Sequence, residues 1–259
     1  MAELITRREG RVGWIVFSNL TKRNALTYEI WRGIPDAVRE LALDTGVRVI
    51  ALRGDGTDFS AGADVAEFEH ARDSISATSS YNAVIDEANE ALVSVTKPTL
   101  ALIRGVCYGG GLAMALHCDM RICADDAQFS LQVAKLGFGI SYASTMRFAH
   151  VVGPSHSAEI MFSGKVFGAE EAYHMHLVNR VAPAAEVDRV FGEWCEMFAG
   201  AAPLTVASIK RALVEGYKDA DRRDLRSVAA MIEACYTSDD YREGRAAFRQ
   251  GRKPDFKGR

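Results

Sequence analysis

Apolar positions repeat with two different periods along the first half of the chain. Val12 to Ser18 (VGWIVFS) is a short run of β-branched and aromatic residues that predicts a strand. Ile30, Ile34, Val38 and Leu41 recur instead at helical spacing, and Thr27 stands where an N-cap for that helix belongs. Val47 to Arg53 (VRVIALR) predicts a second buried strand, and Thr99 to Ile103 and Met120 to Ala124 predict a third and a fourth. Between the second and third, residues 79–96 predict a long helix stopped by Pro98. An apolar helix follows the turn from Gly105 to Gly111 and ends near His117. Strands that alternate with helices predict crossover connections and mostly parallel pairing.

The second half changes character. From about Pro154 onward nearly every segment carries the helical period, punctuated by Gly164, Pro183 and Pro203, with one short apolar run at Leu177 to Val181. The predicted layout is an α/β core over residues 1–195 followed by a helical region over 196–259. No internal repeat or low-complexity segment interrupts it. The last segment, Tyr241 to Arg252, is polar apart from Ala246, Ala247 and Phe248, and is expected to pack on a neighbouring subunit.

Composition narrows the functional classes. The 259 residues carry 31 Lys+Arg against 34 Asp+Glu, a net charge of −3 with no clustered basic excess, which argues against nucleic-acid binding. A chain of this length buries roughly 70–75% of its unfolded surface. No stretch approaches ~18 uncharged apolar residues, so no membrane span is expected. Five cysteines without C-x-x-C spacing predict neither a disulfide framework nor a zinc site, and no metal is expected. The N-terminus lacks the apolar run of a signal peptide, so a cytoplasmic protein is expected. The unusual count is 22 Gly against 6 Pro.

Five of those glycines, Gly62, Gly105, Gly109, Gly110 and Gly111, fall in two loops. Asp58-Phe59-Ser60-Ala61-Gly62-Ala63-Asp64 follows one strand; Gly105-Val106-Cys107-Tyr108-Gly109-Gly110-Gly111-Leu112-Ala113 lies between another strand and a helix. Small residues let a ligand approach backbone N–H groups, and a helix start offers unsatisfied donors to a phosphate, carboxylate or oxyanion. Turn geometry alone explains one such loop. Two of them, each after a strand, are more telling, because together they could aim two N–H groups at one oxygen. G-x-G-x-x-G, G-x-x-x-x-G-K-[ST] and G-x-S-x-G are all absent, which removes dinucleotide, P-loop and hydrolase-elbow readings.

Further segments occur in order along essentially the whole chain: Lys22-Arg23-Asn24-Ala25-Leu26, Phe59 to Asp64, Tyr108 to Gly111 with Cys118-Asp119, Ala127-Gln128-Phe129, and Asp239-Asp240 through Arg242-Glu243-Gly244 to Ala247-Phe248 and Lys253-Pro254. Together they resemble the crotonase (enoyl-CoA hydratase/isomerase) superfamily. The resemblance implies a spiral of β-β-α units with a C-terminal helical trimerisation region, assembled as a homotrimer or as a homohexamer built from two trimers. It implies an acyl-CoA thioester as substrate, with coenzyme A present only as part of that substrate and no separate cofactor. The thioester oxygen is expected between the backbone N–H groups of Ala63 and Gly110. Lys22, Arg23, Ala25, Ala61, Asp64 and Lys253 are the positions expected near the CoA moiety.

The chain departs from this pattern where a family hydratase carries two glutamates; the corresponding positions here are Ala113 and, by ungapped alignment, Val133. Neither transfers a proton, so efficient crotonyl-CoA hydration is not expected, and isomerisation, decarboxylation, thioester hydrolysis or non-catalytic acyl-CoA binding stand beside it. Tyr142, beside Ser141 in a predicted loop, reads equally as a loop anchor and as a proton-transfer group. Glu67 faces either pocket or solvent. Asp64 also suits the N-cap of a following helix. His117 reads chiefly as a buried core histidine, and His174 and His176, two apart in a helix-like stretch, point away from each other. For Lys22, Arg23, Arg252 and Lys253, a phosphate contact and a solvated surface charge are equal readings.

Overall fold

The computed structural model describes residues 2–64, 67 and 74–259. Its strands are β1 (Glu3–Glu9), β2 (Val12–Ser18), β3 (Val49–Gly54), β4 (Thr99–Ile103), β5 (Val106–Tyr108), β6 (Met120–Ala124), β7 (Gln128–Ser130), β8 (Phe167–Gly168) and β9 (Arg180–Ala182). A six-stranded sheet runs β1-β2-β3-β4-β6-β9 and a three-stranded sheet runs β5-β7-β8. In the large sheet pairing is parallel from β2 across to β9 and antiparallel at β1–β2; in the small sheet β5–β7 is parallel and β7–β8 antiparallel.

The helices are α1 (Tyr28–Leu43), α2 (Ile75–Ser94), α3 (Gly109–His117), α4 (Val133–Leu136), α5 (Tyr142–Ser163), α6 (Ala169–His174), α7 (Val187–Ala199), α8 (Pro203–Gly216), α9 (Leu225–Thr237) and α10 (Asp239–Gln250). Thr27 caps α1 as expected, its Oγ accepting from Ile30 N at 3.3 Å. Both faces of the large sheet are buried, which explains why its inner strands read as unbroken apolar runs. Ile15, Phe17, Ile50 and Leu52 face α1, α2 and α3; Trp14, Val16, Val49 and Ala51 alternate with them and face Phe191 and Cys195 of α7.

The boundary expected after residue 195 falls inside α7, which packs on this second face. The structure also differs from the sequence expectation at Tyr142. Helix α5 begins there rather than at Pro154, and bends at Gly153, whose φ of +79° breaks the helical path. Ser141 is its N-cap, so Tyr142 belongs to a helix and not to a loop.

Candidate functional site

The two glycine-bearing loops are tied together by backbone pairing. Ser60 pairs with Cys107 in a parallel bridge: Ser60 N donates to Val106 O, and Tyr108 N donates to Ser60 O, each at 2.9 Å. Ala63 pairs with Leu26 in the same manner, with Leu26 N donating to Gly62 O at 2.7 Å and Asp64 N donating to Leu26 O at 2.9 Å. In a parallel bridge the groups of Leu26 serve the neighbours of Ala63, so the N–H of Ala63 itself points the opposite way. Ala63 lines a cavity on that side.

Gly110 supplies the facing donor. Helix α3 starts at Gly109, and Tyr108 at its N-cap makes no side-chain capping bond. The Gly110 N–H therefore has no intrahelical acceptor and sits at the positive end of the helix dipole. A Cβ built on Gly110 would lie 3.4 Å from Ala63 N, so the start of α3 and the Ala63 loop approach closely here. Gly62 reaches this arrangement with φ +102°, and Gly111 lets α3 approach so closely that a Cβ there would lie 2.6 Å from Ser60 Cβ.

The opposite end of α3 is closed by cations. Arg121 donates to Leu177 O at 2.6 Å and Cys118 O at 2.9 Å, while Arg147 Nε donates to Leu116 O at 2.6 Å. Burial lowers the Arg121 guanidinium to about 10. It remains charged and complements the helix C-terminus. Burial, chiefly, and the two arginines push His117 down to about 4, while its Nδ1–H donates to Ala113 O at 2.7 Å. His117 is the neutral core histidine that the sequence suggested. The thiols are equally inert, burial raising Cys118 and Cys123 to about 12.

The cavity measures about 310 Å³, and Ala61, Ala63, Gly110, Ala113 and Val133 all line it. Both positions where hydratase glutamates were expected thus face the space beside the two donors, with an alanine and a valine.

The remaining candidates are placed differently. Lys22 Nζ pairs with the buried Asp64 Oδ2 at 2.6 Å, and Arg23 forms a bidentate pair with Asp58 at 2.9 Å. The Arg23 guanidinium holds the Asp58 carboxyl below its usual range. Ala25 is buried beneath this loop, its carbonyl accepting from Asn19 Nδ2 at 3.0 Å. Lys253 lies exposed in the tail beyond α10, where Arg252 pairs with Glu243.

The two side chains expected for proton transfer lie as follows. Tyr142 is 78% exposed and lies outside the cavity lining, because Ser144 N bonds Ser141 Oγ and starts the helix there. Glu67 is turned to α1, its Oε2 accepting from Tyr28 N at 2.8 Å, where a carboxylate complements the helix N-terminus. The helix that Asp64 was expected to cap falls outside the described residues. His174 ends α6 and His176 is left-handed at φ 60°, so the two do not share a helix.

Sequence reasoning missed Asp86 and Asn82, which line the cavity from α2. Their signal was a polar pair at i and i+4 flanking the apolar positions Tyr81, Ile85 and Ala88 of one helix.

Comparison with known proteins identifies the family. The enoyl-CoA hydratase/isomerase family profile matches residues 7–259. A Bacillus subtilis (strain 168) protein named "Probable enoyl-CoA hydratase" is 33% identical over 239 residues, 91% of each chain. The 2,3-dehydroadipyl-CoA hydratase of Escherichia coli (strain K12) is 29% identical over 259 residues, covering 100% of both. The crystal structure of an enoyl-CoA hydratase/carnithine racemase from Magnetospirillum magneticum superposes with a TM-score of 0.92 at 30% identity, covering 99% of this chain and 96% of that one. The chain belongs to the enoyl-CoA hydratase/isomerase family and has the crotonase fold.

Proposed function

We propose that this chain acts on an acyl-CoA thioester whose carbonyl oxygen sits between the Ala63 and Gly110 N–H groups. The observation that carries this reading is the convergence of those two donors on one largely apolar cavity. Charge developing on the oxygen as an enolate or tetrahedral centre forms meets donors already in place. Loss of one such donor costs on the order of 2.7–4 kcal/mol. Coenzyme A enters only as part of the substrate. Lys22 and Arg23 meet its phosphates: the ion pair of Lys22 with Asp64, next to Ala63, keeps that ammonium beside the donor loop. Lys253 reaches the same groups from a neighbouring subunit.

The reaction is not efficient hydration of crotonyl-CoA. General acid–base catalysis supplies typically about 10²–10⁴ in rate, and Ala113 and Val133 supply none of it. Isomerisation, or another reaction that begins with an enolate, fits the donor pair better. The purified protein is expected to bind acyl-CoA esters and to hydrate crotonyl-CoA very slowly; turnover at the rate of a good hydratase overturns the reading. The same apolar pair favours a second reading, a non-catalytic acyl-CoA binder. Exchange of thioester α-protons in deuterated water separates the two.

The assembly we propose is a homotrimer or a dimer of trimers. Its support is the apolar surface left open on the C-terminal helices, with Leu225 62%, Tyr236 64% and Phe248 89% exposed in the single chain.

A further inference from the structure

Among the described residues that line the cavity, Asp86 is the one carboxylate, and no lysine, arginine or histidine joins it. It enters from α2, on the same helix face as Asn82 four residues earlier. The opposite wall brings Ser141 to it, with Ser141 Oγ at 3.4 Å from Asp86 Oδ1 and at 3.1 Å from Ser144 Oγ. The cavity that holds Ala63 and Gly110 therefore also holds an acid, supplied by a helix that carries neither expected glutamate position.

From this placement we infer that Asp86 is the proton-transfer group of the site. The inference rests on the reading of the cavity as an acyl-thioester site. The Asp86 carboxylate removes a proton from the α-carbon. The Cα–H bond breaks, its electron pair forms the enolate C=C, and the thioester carbonyl becomes an oxyanion held by the Ala63 and Gly110 N–H groups. The resulting Asp86 carboxyl returns the proton to the α-carbon, which is exchange. With a 3-enoyl thioester it returns the proton to the γ-carbon, and the double bond moves into conjugation with the carbonyl. No oxidant, water or second substrate is consumed. The substrate class this favours is the 3-enoyl thioester, and the site supplies a 2-enoyl thioester to a hydrating reaction elsewhere.

The test uses the full-length protein with butyryl-CoA in deuterated water, following deuterium at the α-carbon by NMR and ester binding by calorimetry. Asp86→Asn is expected to bind the ester as the wild type does and to lose at least about 100-fold in exchange, the lower range for removal of an acid–base group. Asp86→Glu, which keeps a carboxylate, is expected to exchange faster than Asp86→Asn. Undiminished exchange in Asp86→Asn, with exchange lost in Gly110→Ala, overturns the role of Asp86 and leaves the donor pair standing. A wild-type protein that binds butyryl-CoA without any exchange overturns the enolate reading, and the role of Asp86 falls with it.

Discussion

A methyl group on Gly110 would stand 3.1 Å from Trp31 Cζ2 and 3.4 Å from Ala63 N, crowding the space a thioester oxygen needs. Gly110→Ala is accordingly expected to lower kcat/KM by on the order of 10²–10³, the effect of losing one oxyanion donor, in a steady-state assay with an acyl-CoA ester. His117 makes a residue-scale prediction about stability. Its folded value of about 4 lies below the 6.5 of an unfolded histidine, so the unfolded chain binds the extra proton first. The stabilisation is complete above pH 6.5 and is lost progressively as pH falls from there towards 4. The difference is about 3 kcal/mol at 1.36 kcal/mol per pH unit. A Tm series across that range is expected to fall with acid, and to fall less steeply in His117→Asn.

At the scale of elements, caps decide where helices begin, and one of them involves Glu67, weighed from the sequence as a pocket residue. Thr27 Oγ and Glu67 Oε2 together satisfy the first turn of α1, at Ile30 N and Tyr28 N. Thr27→Ala is expected to cost about 1 kcal/mol in urea denaturation, the usual worth of an N-cap. Glu67→Gln, which removes the charge but keeps an acceptor, is expected to cost less. Short strands show the limit of periodicity. Strands β5, β7 and β8 are three residues long or less. Too few positions exist there for a period of 2 to register, and their pairing comes from the loops that bring them together. Strand β1 was missed for another reason. It is a largely polar edge strand turned at Gly10, with φ +59°, and its partner β2 carries the buried apolar run.

At the scale of the whole molecule, Lys210 joins the C-terminal helices to the sheet. Its buried ammonium on α8 meets Asp119 Oδ2 at 2.8 Å and the carbonyls of Leu92 and Lys97 at 3.1 and 3.2 Å. Lys210→Met removes the ammonium's hydrogen bonds to these acceptors, Asp119 Oδ2 keeping only those from Thr99 N and Oγ1, and is expected to cost about 1.5–3 kcal/mol, the range for hydrogen bonds to a charged group, measured by chemical denaturation. The open apolar residues of α9 and α10 predict the assembly state. Sedimentation is expected to give three or six chains, and Phe248→Glu to shift the protein towards monomer. A monomeric wild-type protein overturns that assembly.

The sequence by itself determined the periods of the inner strands, the α1 cap at Thr27, and the two small-residue loops whose backbone holds Ala63 and Gly110. These are local properties, set by side-chain alternation, capping chemistry and the freedom of glycine, and a chain states them without its neighbours. Tertiary structure alone decided which way the Ala63 N–H points, because that depends on its bridge to Leu26, 37 residues earlier in the chain. It turned Glu67 to α1 and left Tyr142 at the surface. It also set Asp86 against Ser141 across 55 residues of chain. Such pairs form only when burial of the sheet's two faces offsets the entropy of closing the loops between them, and no window of sequence carries that balance.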